Sequence, residues 1–516
     1  MTLDPGTDPL RGGTITVDGI TFIVPKNTLV TLPAAVAAWP ELFNGETPIM
    51  PGTQTYQAIV QGNHAADKNI AGLVYLHQNF LRALQGFITE INPVNGHFKV
   101  AGAFSPAGQL ECVINDPLGI YGPKYTANPL WSVDPSNPSI HAATGFPMCI
   151  PRSANDELCP MKNRPLDGAG RPLTRFTFSD PATIGPTDPD AMVMAPLMVG
   201  DYITFSGQLI DNLFEVSSLT ADIGFYTAPG TKPAFITVEE AQFGIRFPVT
   251  GGELPETRAV AFTTDPTTSV QWYAEERHPC TGNITERNLQ LVQPQTAAPR
   301  GRVRFRLGTT DPGDSVRNFG FRMTNGVITT KNNLTGGLFI QPIGDFIFPE
   351  QGILGADLSP LAFETMSFLT QGYGPYVPGN VLTPPPATPV LVGQLFPWPG
   401  LGDGPLAVNC ATEPTPTVSP TPTPTPTPPP VDFITIISAT KLKNRGGGFI
   451  VEVRAKSDNP AAKLSISVSA LVRPLNNAPM ARDPDGTFFT KVLTKGQPLG
   501  VTVTSDFGGS SSTVPL

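Results

Sequence analysis

The sequence predicts a mainly β, multi-domain protein: a body of small β-barrels or sandwiches, a Pro-Thr linker and a small C-terminal β-sandwich. Three observations predict it. Charged residues make up 15% of the 516 and stand beside 51 glycines and 59 prolines, a balance that suits turns and short strands better than long solvated helices. The run PTPTVSPTPTPTPTPPP from Pro414 to Pro430 can form neither helix nor central strand, because each Pro lacks an amide donor and pushes its neighbour toward extended geometry. It reads as a semi-rigid spacer of about 3.1 Å per residue, roughly 50 Å when extended. Short alternating runs separated by turn residues fill most of the remaining chain.

In chain order, 13–30 alternates around an Asp-Gly turn and predicts a hairpin. PAAVAAWPELF at 33–43 predicts a short helix. IAGLVYLHQNFLRALQGFI at 70–88 fits a helical period, yet its first half also reads as a buried strand. A second hairpin spans 86–102 with NPVNG at its tip. Residues 115–195, rich in Pro, Asn and Asp, form a long excursion, and strands return at 199–210, 269–277, 301–307 and 337–348. The Gly/Pro-rich 370–413 wraps the body. The resulting division is 11–112, an N-terminal β-rich domain; 113–198, a disulfide-pinned segment; 199–410, the β-rich body; 411–431, the linker; and 432–516, the C-terminal module.

That module holds about seven short alternating strands, including FITIISAT, GFIVEVRA, KLSISVSAL, TFFTKVL and GVTVTSD, the pattern of an immunoglobulin-like sandwich. It resembles the Ig-like modules joined through Pro/Thr linkers to many secreted bacterial proteins. The body is similar to a family of uncharacterised secreted proteins of fungi and soil bacteria. The matching stretches are ATGFPMCIPRSANDELCPMKNRP, VGDYITFSGQL, IGFYTAPGTKPAFITVE and the GQLFPWPG ending. That resemblance implies architecture and no catalytic residues. Strands with VGDYITFSG-like beginnings also resemble small barrels of the oligonucleotide/oligosaccharide-binding type.

A net charge of −9 without clustered Lys/Arg argues against nucleic acid. No run of 18 apolar residues predicts a membrane span. The N-terminus lacks a charged segment followed by an apolar one, so a signal peptide has been removed or lies outside this sequence. The linker nonetheless argues for a secreted, extracellular or cell-surface protein. Among five cysteines, Cys149 and Cys159 flank a Pro-rich loop that calls for a disulfide, whereas the pairing of Cys112, Cys280 and Cys410 stays open.

Local catalytic signatures are missing. There is no G-x-S-x-G, H-E-x-x-H or C-x-x-C, and His64, His77, His97, His141 and His278 are scattered. No metal site and no cofactor is expected. His278 with Cys280 offers two ligands and no third; Asp188 and Asp190 read as an Asp-Pro turn. The neighbours Glu239/Glu240 and Glu275/Glu276 point to opposite strand faces, so neither pair serves one sugar. The sharpest pattern is GRVRFRL: alternation sets Arg302, Arg304 and Arg306 on one face at about 6.6–7 Å spacing. This basic stripe either binds an anionic polymer through bidentate contacts or is a solvated face balanced by Asp311 and Asp314. Tyr273 and Trp398 are the candidate aromatic platforms for a glycan.

The reading is an extracellular binding or structural protein, associated with a surface or polysaccharide, with a tethered accessory module. The alternatives are an extracellular hydrolase of a polysaccharide or ester polymer, and a self-assembling surface or filament protein. A cleft gathering a His and two acids would favour the hydrolase.

Overall fold

The computed structural model describes residues 1–34, 36–49, 56–65, 67–78, 84–102, 109–245, 256–307, 312–348, 360–379, 388–400, 402, 404–410, 434–443, 449–470, 475–494, 497–506 and 510–513. The chain divides into two compact units, Met1–Glu413 and Pro414–Leu516. The protein is mainly β in both. The linker expected at 411–431 lies outside the described residues.

A seven-stranded sheet starts the body: β1 (Thr2–Leu3), β2 (Gly13–Val17), β3 (Ile20–Val24), β4 (Leu29–Thr31), β5 (Val36–Ala38), β6 (Tyr56–Ala65) and β7 (Lys68–Gln78). Their order is β1-β2-β3-β7-β4-β5, with β6 on β7. Asp18 and Gly19 turn the first hairpin at φ 50° and 82°, the positive angles that make Asp-Gly a hairpin sequence. The helix expected at 33–43 does not form: Val36–Ala38 pairs with Leu29–Thr31 and only a 3-10 turn, Trp39–Leu42, follows. An α-helix there would set Pro40 in its interior, where it removes a hydrogen bond and clashes with the preceding turn. Of the ambiguous 70–88, the described parts, 70–78 and 84–88, are strand. On β7, Val74 and Leu76 enter the core of this sheet, while Leu73 and Tyr75 enter that of the next layer. Burial on both faces removes the alternation that would have identified it.

The second hairpin, β8 (Leu84–Ile91) and β9 (Phe98–Ala101), forms as expected. It closes into a barrel with β10 (Leu110–Ile114), β12 (Tyr202–Ile210) and β13 (Leu213–Ala221), while β11 (Ile140–Ala142) extends β13. The ring runs β8-β9-β10-β13-β12 and back to β8. Every pairing in it is antiparallel except β10 on β13, where Cys112 faces Phe214 and Ile114 faces Val216. This is a five-stranded Greek-key barrel. It draws strands from both sides of 113–198, so that segment is an excursion from one barrel. Cys149–Cys159 pins it. Asn163 Nδ2 donates to the carbonyls of Asp190, Val193 and Met194, and Arg164 meets Asp201 through two hydrogen bonds of 2.7 and 2.8 Å. Phe146 and Phe178 of the excursion stack at 4.5 Å within the barrel's own core.

Two four-stranded sheets then form a sandwich from β14 (Ile236–Gly244), β15 (Thr257–Thr263), β16 (Val270–Arg277), β17 (Ile284–Val292), β18 (Arg302–Leu307), β19 (Asn318–Met323), β20 (Leu338–Pro342) and β21 (Asp345–Ile347). The orders are β18-β15-β14-β21 and β17-β16-β19-β20. Trp272, Phe305, Phe319 and Phe321 fill the space between them. The closing wrap sends Leu395 and Trp398 into this core and Tyr376 and Val392 onto the N-terminal sheet. Cys410 ends it in a disulfide with Cys280.

In the C-terminal unit, strands 434–443, 449–457, 488–494 and 481–482 form one sheet, and 475–479, 464–470, 498–505 and 510–513 a second. Val451 and Val453 from the first meet Ile466, Val468 and Val503 from the second in one apolar core.

Candidate functional site: an arginine face and the cleft beside it

Strand β18 alternates as its sequence requires. Val303 and Phe305 are buried at 0% and 1% exposure, while Arg304 and Arg306 are exposed and Arg302 is half-buried. Among the described residues β18 pairs only with β15 in its sheet, which brings Phe262 opposite Arg302, Val260 opposite Arg304 and Arg258 opposite Arg306. Opposed residues share a face, so a fourth guanidinium joins the row. Two of the four are neutralised. Glu256 accepts from Arg306 Nη2 at 2.7 Å, and Glu240 accepts from Arg258 Nη2 at 2.9 Å. The balancing acids are therefore these two. Asp314 contributes its backbone carbonyl to Arg287, and Asp311 lies outside the described residues. No described carboxylate pairs with Arg302 or Arg304, and Arg302 Nε is buried without a hydrogen-bond partner.

At the Arg302 end the row meets a cleft of about 1000 Å³ between the barrel and the sandwich. Phe262, beneath the Arg302 guanidinium at 5.9 Å, lines it. So does Arg300, stacked 4.5 Å over the Tyr226 ring. Arg175, Asp222 and Glu239 are exposed on its walls. The cleft thus offers guanidinium donors, carboxylate acceptors and threonine hydroxyls around two aromatic rings. A cavity of this size with a few convergent polar groups suits an organic ligand.

His141 joins the two walls. Its Nδ1 lies 2.7 Å from the Ala142 carbonyl, which can only accept, so Nδ1 carries the proton and Nε2 its lone pair. The Thr237 hydroxyl, 3.2 Å away, therefore donates to Nε2. Burial pushes the imidazole below its ordinary pKa and keeps it neutral. The other histidines with described side chains are elsewhere: His97 on Glu111, His64 on Asn69, and His278 accepting from the amides of Cys280 and Thr281.

Two expectations are corrected. Tyr273 and Trp398 are 1% and 8% exposed and present no face to a glycan. Tyr273 does point to the side opposite Trp272, but Arg322 lies 5.0 Å over its ring, held there by Glu286. Trp398 belongs to the sandwich core. Cys149–Cys159 forms as expected, Cys280–Cys410 is the second bridge, and Cys112 is a buried free thiol. Among the described residues no cluster of His, Cys, Asp and Glu could hold a metal ion, and no helix is long and apolar enough to cross a membrane. The cleft itself, built from segments far apart in sequence, has no local signal.

No family model and no curated protein matches the chain. Among solved structures it is similar to the Amycolatopsis orientalis exo-chitosanase CsxA, at 8% identity over 65% of this chain and 32% of that one, with a TM-score of 0.12. A complex of that enzyme with PNP-beta-D-glucosamine matches 56% of this chain and 28% of that one at 8% identity and a TM-score of 0.12. The chain spans about a third of the length of these structures, and likeness at this level supports no conclusion about fold or activity.

Proposed function

We propose that the protein is an extracellular binding protein for an anionic polysaccharide. The polymer lies along the Arg302/Arg304 face and enters the cleft, and the C-terminal sandwich acts as an Ig-like accessory module on its Pro-Thr linker. The observation that carries this reading is the row of guanidiniums with no acid on Arg302 or Arg304, ending at a polar cleft. A planar fork is suited to bidentate contact with carboxylate or sulfate. The two disulfides fit an oxidising compartment.

The hydrolase reading draws on the same cleft, which gathers neutral His141, the Thr237 hydroxyl, Asp222 and Glu239. The test is to pass the full chain over an immobilised polyuronate or sulfated glycan and to assay the same preparation for release of soluble sugar. Retention without release supports the binding protein. Release abolished by His141→Gln would establish the hydrolase instead.

A further inference from the structure

The closing wrap inverts what its FPWPG sequence suggests. The tryptophan is covered: a Cβ at Gly400 or Gly404 would lie 2.4 or 2.8 Å from atoms of the Trp398 indole. Its near neighbour Phe396 is 74% exposed, against 52% for Phe87, the other exposed phenylalanine among the described residues. Leaving such a ring in water forgoes the burial that normally stabilises a phenylalanine.

The ring stands on a rigid mount. The Phe396 amide donates to the Lys26 carbonyl at 3.3 Å, and the Lys26 amide donates to the Phe396 carbonyl at 2.8 Å. Leu395 is buried at 2%, and the Leu395 amide donates to the Leu369 carbonyl. Asn27 Nδ2 donates to the Gln394 carbonyl at 2.7 Å. Buried anchors thus flank the exposed ring, so little backbone entropy remains to be lost when something binds it.

Its surroundings are polar. The antiparallel bridge sets Lys26 directly opposite Phe396, at the separation where side chains touch. Lys26 Nζ pairs with Asp8, and the two side chains are 48% and 42% exposed. Arg11 Nη1 donates to the Asp8 carbonyl at 2.9 Å. A single ring within charged groups is too small for a stable protein interface, which takes about 800 Å² from each partner. It does match a pyranose with equatorial hydroxyls. One sugar face carries only C–H groups and packs on the ring, while vicinal hydroxyls can accept from an ammonium and donate to a carboxylate.

We propose that Phe396, with Lys26 and Asp8, is a sugar-stacking subsite for a gluco-configured pyranose of a neutral, β-linked polysaccharide. The inference rests on reading the protein as a polysaccharide binder, but it uses residues outside the arginine face and a contact that salt does not screen.

The experiment is retention of the full chain on microcrystalline cellulose and on chitin at about 1 M salt, where charge pairs are screened beyond about 3 Å. The parent protein is expected to be retained on at least one matrix. Phe396→Ala should lower the bound fraction about tenfold, and Phe396→Trp should preserve it. An unchanged melting temperature for both variants shows that the fold is intact. Equal retention of Phe396→Ala and parent, or no retention of the parent on either matrix, overturns the subsite. Loss of acidic-polymer binding in arginine variants that still bind cellulose or chitin separates failure of one site from failure of the other.

Discussion

Arg304 and Arg306 come from the same strand face and carry the same charge, yet their surroundings differ. Arg306 already holds Glu256, whereas Arg304 is exposed with no described acid on it. A ligand anion must displace Glu256 to use Arg306 fully. Arg304→Gln is therefore expected to weaken binding to an acidic polysaccharide by about 1 kcal/mol, and Arg306→Gln by less. Calorimetric titration of the two single variants checks the order. His141 gives a second residue-level expectation. Its folded-state pKa is depressed by burial, so the unfolded chain takes up a proton near about pH 6.5 while the folded body does not. This contribution to stability is complete above that pH and is lost as the pH falls toward the folded value. Because buried Asp116 and Glu275 and half-buried Asp134 are shifted upward by desolvation and act in the opposite sense, the readout is a difference. Urea denaturation at about pH 7.5 and about pH 5.5 should show a steeper loss for the parent than for His141→Gln.

At the scale of elements, the two disulfides close loops of very different length, with sequence separations of 10 and 130. In the chain-entropy model these correspond to about 3 and about 5 kcal/mol. Cys280→Ser with Cys410→Ser should therefore destabilise the body more than Cys149→Ser with Cys159→Ser, as measured by denaturant midpoints of the two double variants. What the sequence made legible was local. The 86–102 hairpin, the alternation of 302–307 and the Cys149–Cys159 bridge each depend on neighbours a few residues away. Distant pairings were not legible. Barrel closure needs Cys112 beside Phe214, and burial of Tyr273 needs Gly320 under its ring, where an added Cβ would meet Cζ at 2.0 Å. The choice of Phe396 over Trp398 as the exposed ring depends on a bridge to Lys26 near the other end of the body. Period-two patterning tells which residues share a face, not whether a neighbouring chain covers that face.

For the whole molecule, the division into Met1–Glu413 and Pro414–Leu516 predicts two unfolding transitions. Scanning calorimetry of the full chain should show both. Limited proteolysis should cut near 405–413 or 431–433, because the prolines of the repeat resist many proteases. A single transition that moves when 431–516 is deleted would contradict that independence. The central claim, an anionic polymer held by the arginine face, is tested most directly by a salt series. Affinity of the full chain for a polyuronate or sulfated glycan is measured between about 50 mM and about 500 mM salt, beside the Arg302→Gln, Arg304→Gln, Arg306→Gln triple variant. The parent should bind, weaken steadily as salt rises, and lose most of that dependence in the triple variant. Parent and variant binding equally at every salt concentration would show that the face is only solvated and that the polymer, if bound, sits elsewhere.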